Sequence, residues 1–192
     1  MFLRVLAGLF MMCSMAWAHA DTLNIQLSNE SARFMYASEV FGGQFGPTDL
    51  EVGGYFNEDD DSLLHLGLLV RNDSLDNPLV ISIGARVYYG DVGNAPPNPT
   101  PTDAAVIALG GELLYIPDNL GGLGLGAYYF VAPSVVSFMD ADGFTELGLY
   151  VDYAITEQAS VYVGYRNIEV KLDTGLDIEV DSSLIYGLVL RF

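Results

Sequence analysis

The residues that could act as catalysts are few in this chain. His65 is the only histidine after residue 20, and it follows both Ser62 and the acidic run 59–61. A serine, a histidine and an aspartate can act as nucleophile, base and acid when their side chains lie within hydrogen-bond reach. This spacing matches no hydrolase motif. The sequence therefore predicts that the chain is not an enzyme, and a site built on Ser62 and His65 is the alternative.

Five aspartates in two acidic stretches are the candidates for a divalent metal site. Carboxylate oxygens are the ligands that Ca²⁺ and Mg²⁺ prefer. Aspartate and glycine also favour turns, and residues 140–143 lack the twelve-residue pattern of a calcium loop. No firm metal site and no cofactor are predicted. The candidates are Asp59, Asp60, Asp61, Asp140 and Asp142.

The first 20 residues have the features of a secretory signal peptide. Arg4 supplies a positive charge, residues 5–17 are apolar, and the Ala-His-Ala sequence at 18–20 matches a cleavage site. The apolar run is shorter than the roughly 20 residues that a membrane-spanning helix needs. We therefore predict a cleaved signal peptide over residues 1–20 and one exported domain over residues 21–192.

The charge of the predicted exported domain excludes one class of function. Without residues 1–20 the chain keeps six of its seven Lys and Arg and all 25 Asp and Glu, so its formal charge is −19. Nucleic-acid binding needs a basic surface and is therefore not expected. The only cysteine is Cys13, which lies in the signal peptide, so the domain has no disulfide framework.

Apolar residues alternate with small or polar residues through most of the chain, which is the pattern of β-strands with two different faces. In residues 79–89 the odd positions are Leu, Ile, Ile, Ala, Val and Tyr, and the even positions are Val, Ser, Gly, Arg and Tyr. The alternation recurs over 64–70, 107–115, 123–131, 147–155, 161–166 and 184–192.

Two architectures give such alternation. A soluble sandwich buries the apolar face as its core, whereas a membrane barrel turns the apolar face to lipid and the other face to its lumen. The segments have about the 9–11 residues with which a tilted strand crosses a bilayer. Their polar face is rich in Gly and Tyr, and Tyr or Phe lies near their ends, as in an interfacial girdle. The sequence therefore predicts an all-β, transmembrane, antiparallel up-and-down barrel in the bacterial outer membrane.

The last strand carries a second signal. Its apolar positions continue to an aromatic residue, and they are Tyr186, Leu188, Leu190 and Phe192. This pattern resembles the assembly signal of outer-membrane barrels. We therefore expect the barrel assembly machinery to be a partner during biogenesis.

Connection lengths predict the topology. Resemblance to bacterial barrels implies periplasmic termini, short periplasmic turns and longer outer loops. The predicted outer loops are 57–61, 91–103, 133–143 and 172–181, and the predicted periplasmic turns are 71–78, 117–119 and 156–159. These connections leave eight strands from Leu50 onward. A further hairpin turning at 28–31 gives ten strands, which we favour. Eight strands, with the first segment as a plug or tail, are the alternative.

Six polar residues are predicted to line the lumen. In a barrel of about eight strands the interior is just wide enough for side chains, so we expect a salt-bridge network that fills it rather than a pore lining. If the turn at 156–159 sets Tyr150 opposite Arg166, Asp152 is the diagonal neighbour of Arg166. The six residues are His65, Arg86, Glu112, Glu146, Asp152 and Arg166.

Four short stretches, taken in their order along the chain, resemble the YfaZ family of outer-membrane proteins. They are Tyr55-Phe56-Asn57-Glu58-Asp59-Asp60-Asp61, Ala108-Leu109-Gly110-Gly111-Glu112-Leu113, Tyr128-Tyr129-Phe130-Val131-Ala132-Pro133-Ser134 and Val163-Gly164-Tyr165-Arg166. The resemblance implies a transmembrane barrel, sometimes loosely called a porin, and supplies no catalytic residues.

These observations predict an integral outer-membrane β-barrel of structural or surface-interacting role, with a packed or very narrow lumen. Outer-membrane lipid and lipopolysaccharide are the expected partners, and a monomer is expected. A narrow channel for small solutes is the second hypothesis. A lipid- or peptide-acting enzyme is the third.

Overall fold

A computed structural model describes residues 21–43, 46–72, 78–93 and 102–192. The predicted signal peptide over residues 1–20 lies outside the described residues. Two single-turn 3₁₀ helices are Asp118–Leu120 and Ser134–Val136. No helix in the described ranges is long and apolar enough to cross a membrane. The strands are β1 Asp21–Leu27, β2 Ser31–Gly43, β3 Gly46–Asn57, β4 Ser62–Arg71, β5 Leu79–Val92, β6 Thr102–Tyr115, β7 Leu123–Ala132, β8 Ser137–Met139, β9 Ala141–Thr156, β10 Ala159–Leu172 and β11 Asp177–Arg191.

Ten of these strands form a closed antiparallel barrel. Each pairs with two neighbours in the ring order β1 to β7, β9, β10 and β11, and β11 pairs with β1. The three-residue β8 pairs with the first residues of β6. Because β1 and β2 are strands of the wall, the prediction of ten strands is confirmed. The alternative of eight strands with a plug is wrong.

The wall strands turn alternate side chains inward and outward. On β4, Leu64, Leu66 and Leu68 are more than half exposed, whereas Leu63 and His65 are buried. The same alternation runs along the other strands, and the exposed side chains are mostly Leu, Ile, Val, Phe and Tyr. Such a continuous apolar exterior suits hydrocarbon rather than water, since soluble monomers rarely expose large apolar patches.

The two ends of the barrel differ in their connections. Asp21 and Phe192 lie at one end, which we call the terminal end, and they exchange two backbone hydrogen bonds of 2.9 and 3.0 Å. The opposite end, which we call the distal end, carries the connections that follow β1, β3, β5, β7 and β10. These distal connections include the predicted outer loops 57–61, 133–143 and 172–181. The predicted loop 91–103 lies largely outside the described residues, and its two ends belong to β5 and β6.

Two distal connections are shorter than predicted. β11 begins at Asp177, so the predicted loop 172–181 is largely strand, and the predicted loop 133–143 contains a 3₁₀ turn and β8. The acidic residues of 172–181 do not end the strand, because Asp177 and Glu179 lie exposed and Asp181 pairs inside with Arg166. Asp177 pairs with Lys171 across the hairpin, while the side chain of Val180 on the inner face is buried.

The β9–β10 hairpin has a different register from the predicted one. Arg166 lies opposite Gly148 rather than Tyr150, and Asp152 lies opposite Tyr162. The prediction that Asp152 is the diagonal neighbour of Arg166 is therefore wrong. Thr156 pairs directly with Ala159 at the turn, and a bulge next to this pair displaces every later pair by one further residue.

Candidate functional site

The six residues predicted to line the lumen lie on the inner face of the wall. Five of them are at most 4% exposed: His65, Arg86, Glu146, Asp152 and Arg166. The sixth, Glu112, keeps 31% of its side chain exposed. The interior is therefore the place where this chain gathers its charged and hydrogen-bonding side chains, and three arginines organise it.

The contact that reaches furthest across the interior is made by Arg33. Its Nη1 donates to Oε1 of Glu146 on β9, and the hydroxyl of Tyr88 on β5 donates to the other oxygen of that carboxylate. Three strands separate β2 from β9 around the wall, and two separate β5 from β9. The Arg33–Glu146–Tyr88 bridge therefore crosses the lumen. Tyr88 also packs on Phe144, with 4.5 Å between ring centroids.

Arg166 is the second organising arginine, and it is fully buried. Its Nε donates to Oδ2 of Asp181 at 2.8 Å, and Nη1 donates to Oε1 of Gln26 at 2.8 Å. Nη2 donates to the Ser31 hydroxyl at 2.9 Å. The guanidinium also lies 5.0 Å from the ring centroid of Tyr55. Arg166 on β10 thus bonds to residues of β11, β1 and β2. These contacts lie on both sides of the β1–β11 pair that closes the barrel.

Arg86 is the third organising arginine. Its Nε donates to Oε2 of Glu51 at 2.8 Å, and its Nη2 donates to Oε1 of Glu112 at 2.5 Å. The guanidinium stacks 4.0 Å from the ring centroid of Phe130. Since the two carboxylates come from β3 and β6, this group joins three strands on the side of the barrel opposite Arg166.

Several partners in these groups were not among the predicted lumen residues. Arg33, Glu51 and Asp181 carry the charges that complete the three groups. Strand parity could have placed Arg33 and Glu51 inside, because each alternates with apolar neighbours in the sequence. Nothing in a single sequence indicates that Arg33 meets Glu146, since 113 residues separate them.

The structure does not assemble the Ser62–His65 alternative. Residues three apart on a strand lie on opposite faces, and Ser62 belongs to the outward row of Leu64 and Leu66. His65 points inward, where its ring lies 5.5 Å from that of Tyr88. The two side chains are therefore separated by the barrel wall.

The acidic distal turn 57–61 is organised by its own hydrogen bonds. The Asp61 N–H donates to Oδ1 of Asn57 at 2.8 Å, and Nδ2 of Asn57 donates to Oδ2 of Asp61 at 3.0 Å. In the part of the chain that the structure describes, no three His, Cys, Asp or Glu side chains are grouped so as to hold a metal ion. The candidates Asp59, Asp60, Asp61, Asp140 and Asp142 are thus not brought together as a site.

Comparison with protein families identifies the chain. The model of the YfaZ family, described as a YfaZ precursor, matches residues 3–192, nearly the whole sequence. The chain belongs to the YfaZ family. The resemblance that the four short stretches indicated is therefore confirmed. No curated protein matches this YfaZ-family chain.

Solved structures similar to the YfaZ-family chain include an outer-membrane channel and a porin. The outer membrane channel DcaP of Acinetobacter baumannii matches over 89% of this chain and 62% of its own, with 11% identity and a TM-score of 0.44. The NanC porin matches over 91% of this chain and 99% of its own, with 12% identity and a TM-score of 0.41. The YfaZ-family chain thus spans less than two thirds of the length of the DcaP channel.

Tyrosine rings lie flat on wall glycines in the YfaZ-family barrel. A Cβ atom added to Gly148 would lie 2.1 Å from Cζ of Tyr128, and one added to Gly126 would lie 2.0 Å from Cζ of Tyr150. Each ring and its glycine are directly opposite on neighbouring strands. The glycines therefore leave the space that these rings occupy, which lets large side chains lie against the wall instead of projecting across the lumen.

Proposed function

We propose that this YfaZ-family chain is an integral outer-membrane β-barrel whose lumen is filled by its own side chains, with a structural or surface-interacting role. The Arg33–Glu146–Tyr88 bridge carries the proposal. Arg33 and Glu146 are 2% and 0% exposed. Because their contact crosses the lumen, it occupies space that a passing solute would need. Interiors of barrels of about eight strands are narrow enough for side chains to fill.

The exterior supports membrane insertion. The exposed wall is apolar, and exposed aromatic side chains lie near both of its edges, as the girdles of outer-membrane barrels do. Towards the distal end they are Phe56, Tyr89, Tyr129 and Tyr165, and towards the terminal end they are Phe41, Tyr115 and Tyr153. We propose that outer-membrane lipid and lipopolysaccharide contact this surface, and that the barrel is a monomer assembled by the barrel assembly machinery.

We propose further that the distal end faces the outside of the cell and that the terminal end faces the periplasm, as in bacterial barrels. Cleavage after Ala20 would then release the chain at the first residue of β1.

The chain is proposed not to be an enzyme, because Ser62 and His65 lie on opposite faces of β4. A fluorophosphonate probe that labels active serines should leave it unlabelled, and labelling lost in Ser62→Ala would contradict this.

A narrow channel is the second candidate, and Glu112 favours it. Its side chain is 31% exposed, so solvent reaches that part of the interior, whereas Arg86 beside it is 1% exposed. At the terminal end, Arg71 lies 3.8 Å from Glu39 and 3.6 Å from Asp49, and its side chain is 35% exposed. A conducting path would have to continue from these residues past Arg86.

Single-channel conductance in planar bilayers separates the two candidates. The wild-type chain, purified from outer membranes, is expected to insert without steady conductance. Removing the bridge in the double variant Arg33→Ala/Glu146→Ala is expected to produce steady conductance. The matched control, Glu39→Ala/Arg71→Ala, removes an ion pair at the terminal end and is expected to remain silent.

The outcomes of this experiment are distinct. Steady conductance of the wild-type chain would favour the channel and reject the packed lumen. Failure of the wild-type chain to insert would reject the membrane barrel itself. A heat-modifiable gel shift and a β-rich circular dichroism spectrum verify that each variant is folded before its conductance is compared.

A further inference from the structure

The connection from β7 to β9 interrupts the wall with a short turn. β7 pairs with β6 only as far as Val131, opposite Leu109, and β8 resumes the pairing with Ser137 opposite Val106. The chain between them makes the 3₁₀ helix Ser134–Val136. We call residues 133–139 the β7–β8 turn. Both β7 and β8 pair with β6 and so occupy the same position in the wall. The turn is inserted between them and does not connect neighbouring strands.

Hydrogen bonds fix the shape of the β7–β8 turn. The N–H of Val136 and the hydroxyl of Ser137 both donate to the carbonyl of Pro133, at 3.0 and 3.1 Å. The Ser137 N–H donates to the carbonyl of Ser134. Val136 packs against the buried apolar cluster inside the barrel. With Val136 held inside, its neighbour Val135 is directed away from the barrel.

The β7–β8 turn exposes large apolar side chains. Val135, Phe138 and Met139 are 82%, 51% and 59% exposed. Met139 has a φ of 62°, a left-handed conformation that non-glycine residues rarely adopt. The turn therefore leaves three large apolar side chains exposed, although a soluble surface would favour burying them. Of the two in β8, Phe138 lies on the outer face, since Met139 pairs with the buried Ala104.

The β7–β8 turn carries less charge than most distal connections. The connections after β1, β3 and β10 contain acidic residues, at Glu30, at 58–61 and at Asp173, whereas the sequence 93–101 after β5 contains none. Residues 133–139 contain no charged side chain, and Asp140 follows them. The β7–β8 turn is also continuous with the apolar exterior, since exposed Tyr129 and Val131 precede it on β7.

We infer that the β7–β8 turn inserts into the lipid of the outer leaflet, at the boundary between head groups and acyl chains, and anchors that side of the barrel in the membrane. This inference rests on the proposed membrane location. Apolar and aromatic side chains on a surface otherwise exposed to water bind this boundary, and the uncharged turn can enter it where its acidic neighbours cannot. Only β9 separates β8 from β10 around the wall, and on β10 and β11 exposed Lys171 and Glu179 occupy the distal part of the exterior. The lipid boundary is therefore higher at the β7–β8 turn than at β10 and β11.

Tryptophan fluorescence tests the inference directly, because Trp17 is the only tryptophan of the chain. In a Trp17→Phe background, Val135→Trp gives a single reporter on the turn. Leu149→Trp is the reporter on the apolar wall. Leu176→Trp is the matched control, since Leu176 is also exposed and distal, at 56%, but lies between Asp173 and Asp177. Each protein is purified from outer membranes and reconstituted in phosphatidylcholine vesicles with or without brominated acyl chains.

We expect the emission of Val135→Trp to be blue-shifted and quenched by brominated lipid, as for Leu149→Trp. The emission of Leu176→Trp should be quenched by aqueous acrylamide instead. If Leu149→Trp responds to brominated lipid and Val135→Trp responds only to acrylamide, the turn lies in water and the inference is overturned. If Leu149→Trp itself does not respond to brominated lipid, the proposed membrane barrel fails.

A dye attached at position 135 provides a second test in case the Val135→Trp variant does not fold. Cys13 is the only cysteine, so Val135→Cys in a Cys13→Ser background can carry one environment-sensitive dye. A dye emission that shifts to the blue in vesicles supports lipid insertion. Shielding from both acrylamide and brominated lipid would show that protein, such as a second copy of the chain, covers the turn, and would overturn the inference.

Discussion

Arg33 on β2 and Glu146 on β9 form an ion pair through the centre of the barrel, with both side chains buried. Strands of the wall are already joined by backbone hydrogen bonds, so a pair between neighbours adds little to the wall's shape. A pair that crosses the lumen constrains the distance between opposite walls. The cross-lumen ion pair, together with the buried apolar cluster of the interior, thus holds the cross-section of the barrel.

Removing one member of this pair should be costly. We expect Arg33→Met to reduce the free energy of unfolding by about 3–5 kcal/mol, because it leaves the Glu146 carboxylate buried without its cation. Arg71→Met breaks an ion pair whose side chains are about one third exposed and is expected to cost roughly 0–1 kcal/mol. Urea unfolding in phospholipid vesicles measures both. Equal effects of the two substitutions would contradict the cross-lumen role.

The partner of Arg166 can be decided by double-mutant cycles. We expect Arg166→Met and Asp181→Asn to couple by about 0.5–3 kcal/mol, since the two side chains are in contact. Arg166→Met and Asp152→Asn should add, because Asp152 lies opposite Tyr162. Unfolding free energies of the single and double variants give both couplings. A larger coupling to Asp152 would restore the register that was predicted from the turn at 156–159.

The fit of tyrosine on glycine can be tested at Gly148. We expect Gly148→Ala to destabilise the barrel by about 1–3 kcal/mol, because the new methyl group meets the Tyr128 ring. Gly42→Ala is the control, since the nearest atom to its added Cβ would be 3.9 Å away, on the Glu39 side chain. Thermal gel-shift midpoints rank the variants. The cost should diminish when Tyr128→Ala is combined with Gly148→Ala, and an unchanged cost would place the strain elsewhere.

Arginine substitutions at two exposed leucines should differ in their stability cost according to whether lipid or water surrounds the leucine. Leu66 on the wall and Leu176 in the β10–β11 turn are similarly exposed, at 53% and 56%. We expect Leu66→Arg to cost about 2–4 kcal/mol if it lies near the bilayer midplane. Leu176→Arg should have almost no effect on unfolding in the same vesicles. A tolerated arginine at Leu66 would indicate that this surface faces water.

Alternation was sufficient to predict the wall because it is a local property of each strand. β4 and β7 could be recognised from ten consecutive residues each, and so could the inward direction of Arg86 and Glu112. The pairing register could not be recognised from the sequence, because each bulge in β2, β9 and β11 shifts the register by one residue. Contacts across the lumen depend on strand number and tilt together, which no local pattern contains.

The pairing of β1 with β11 has a consequence for how the chain reaches its native state. The seam joins residues such as Thr22 and Arg191, so the wall closes only when the whole sequence is present. Any shorter folding intermediate has two open sheet edges and an apolar exterior, which makes it prone to aggregate. The seam pairs residues that lie far apart in the sequence, and such non-local pairing forms slowly. A chain of this design depends on being kept unpaired during transit, and its last-made strand decides when folding can finish.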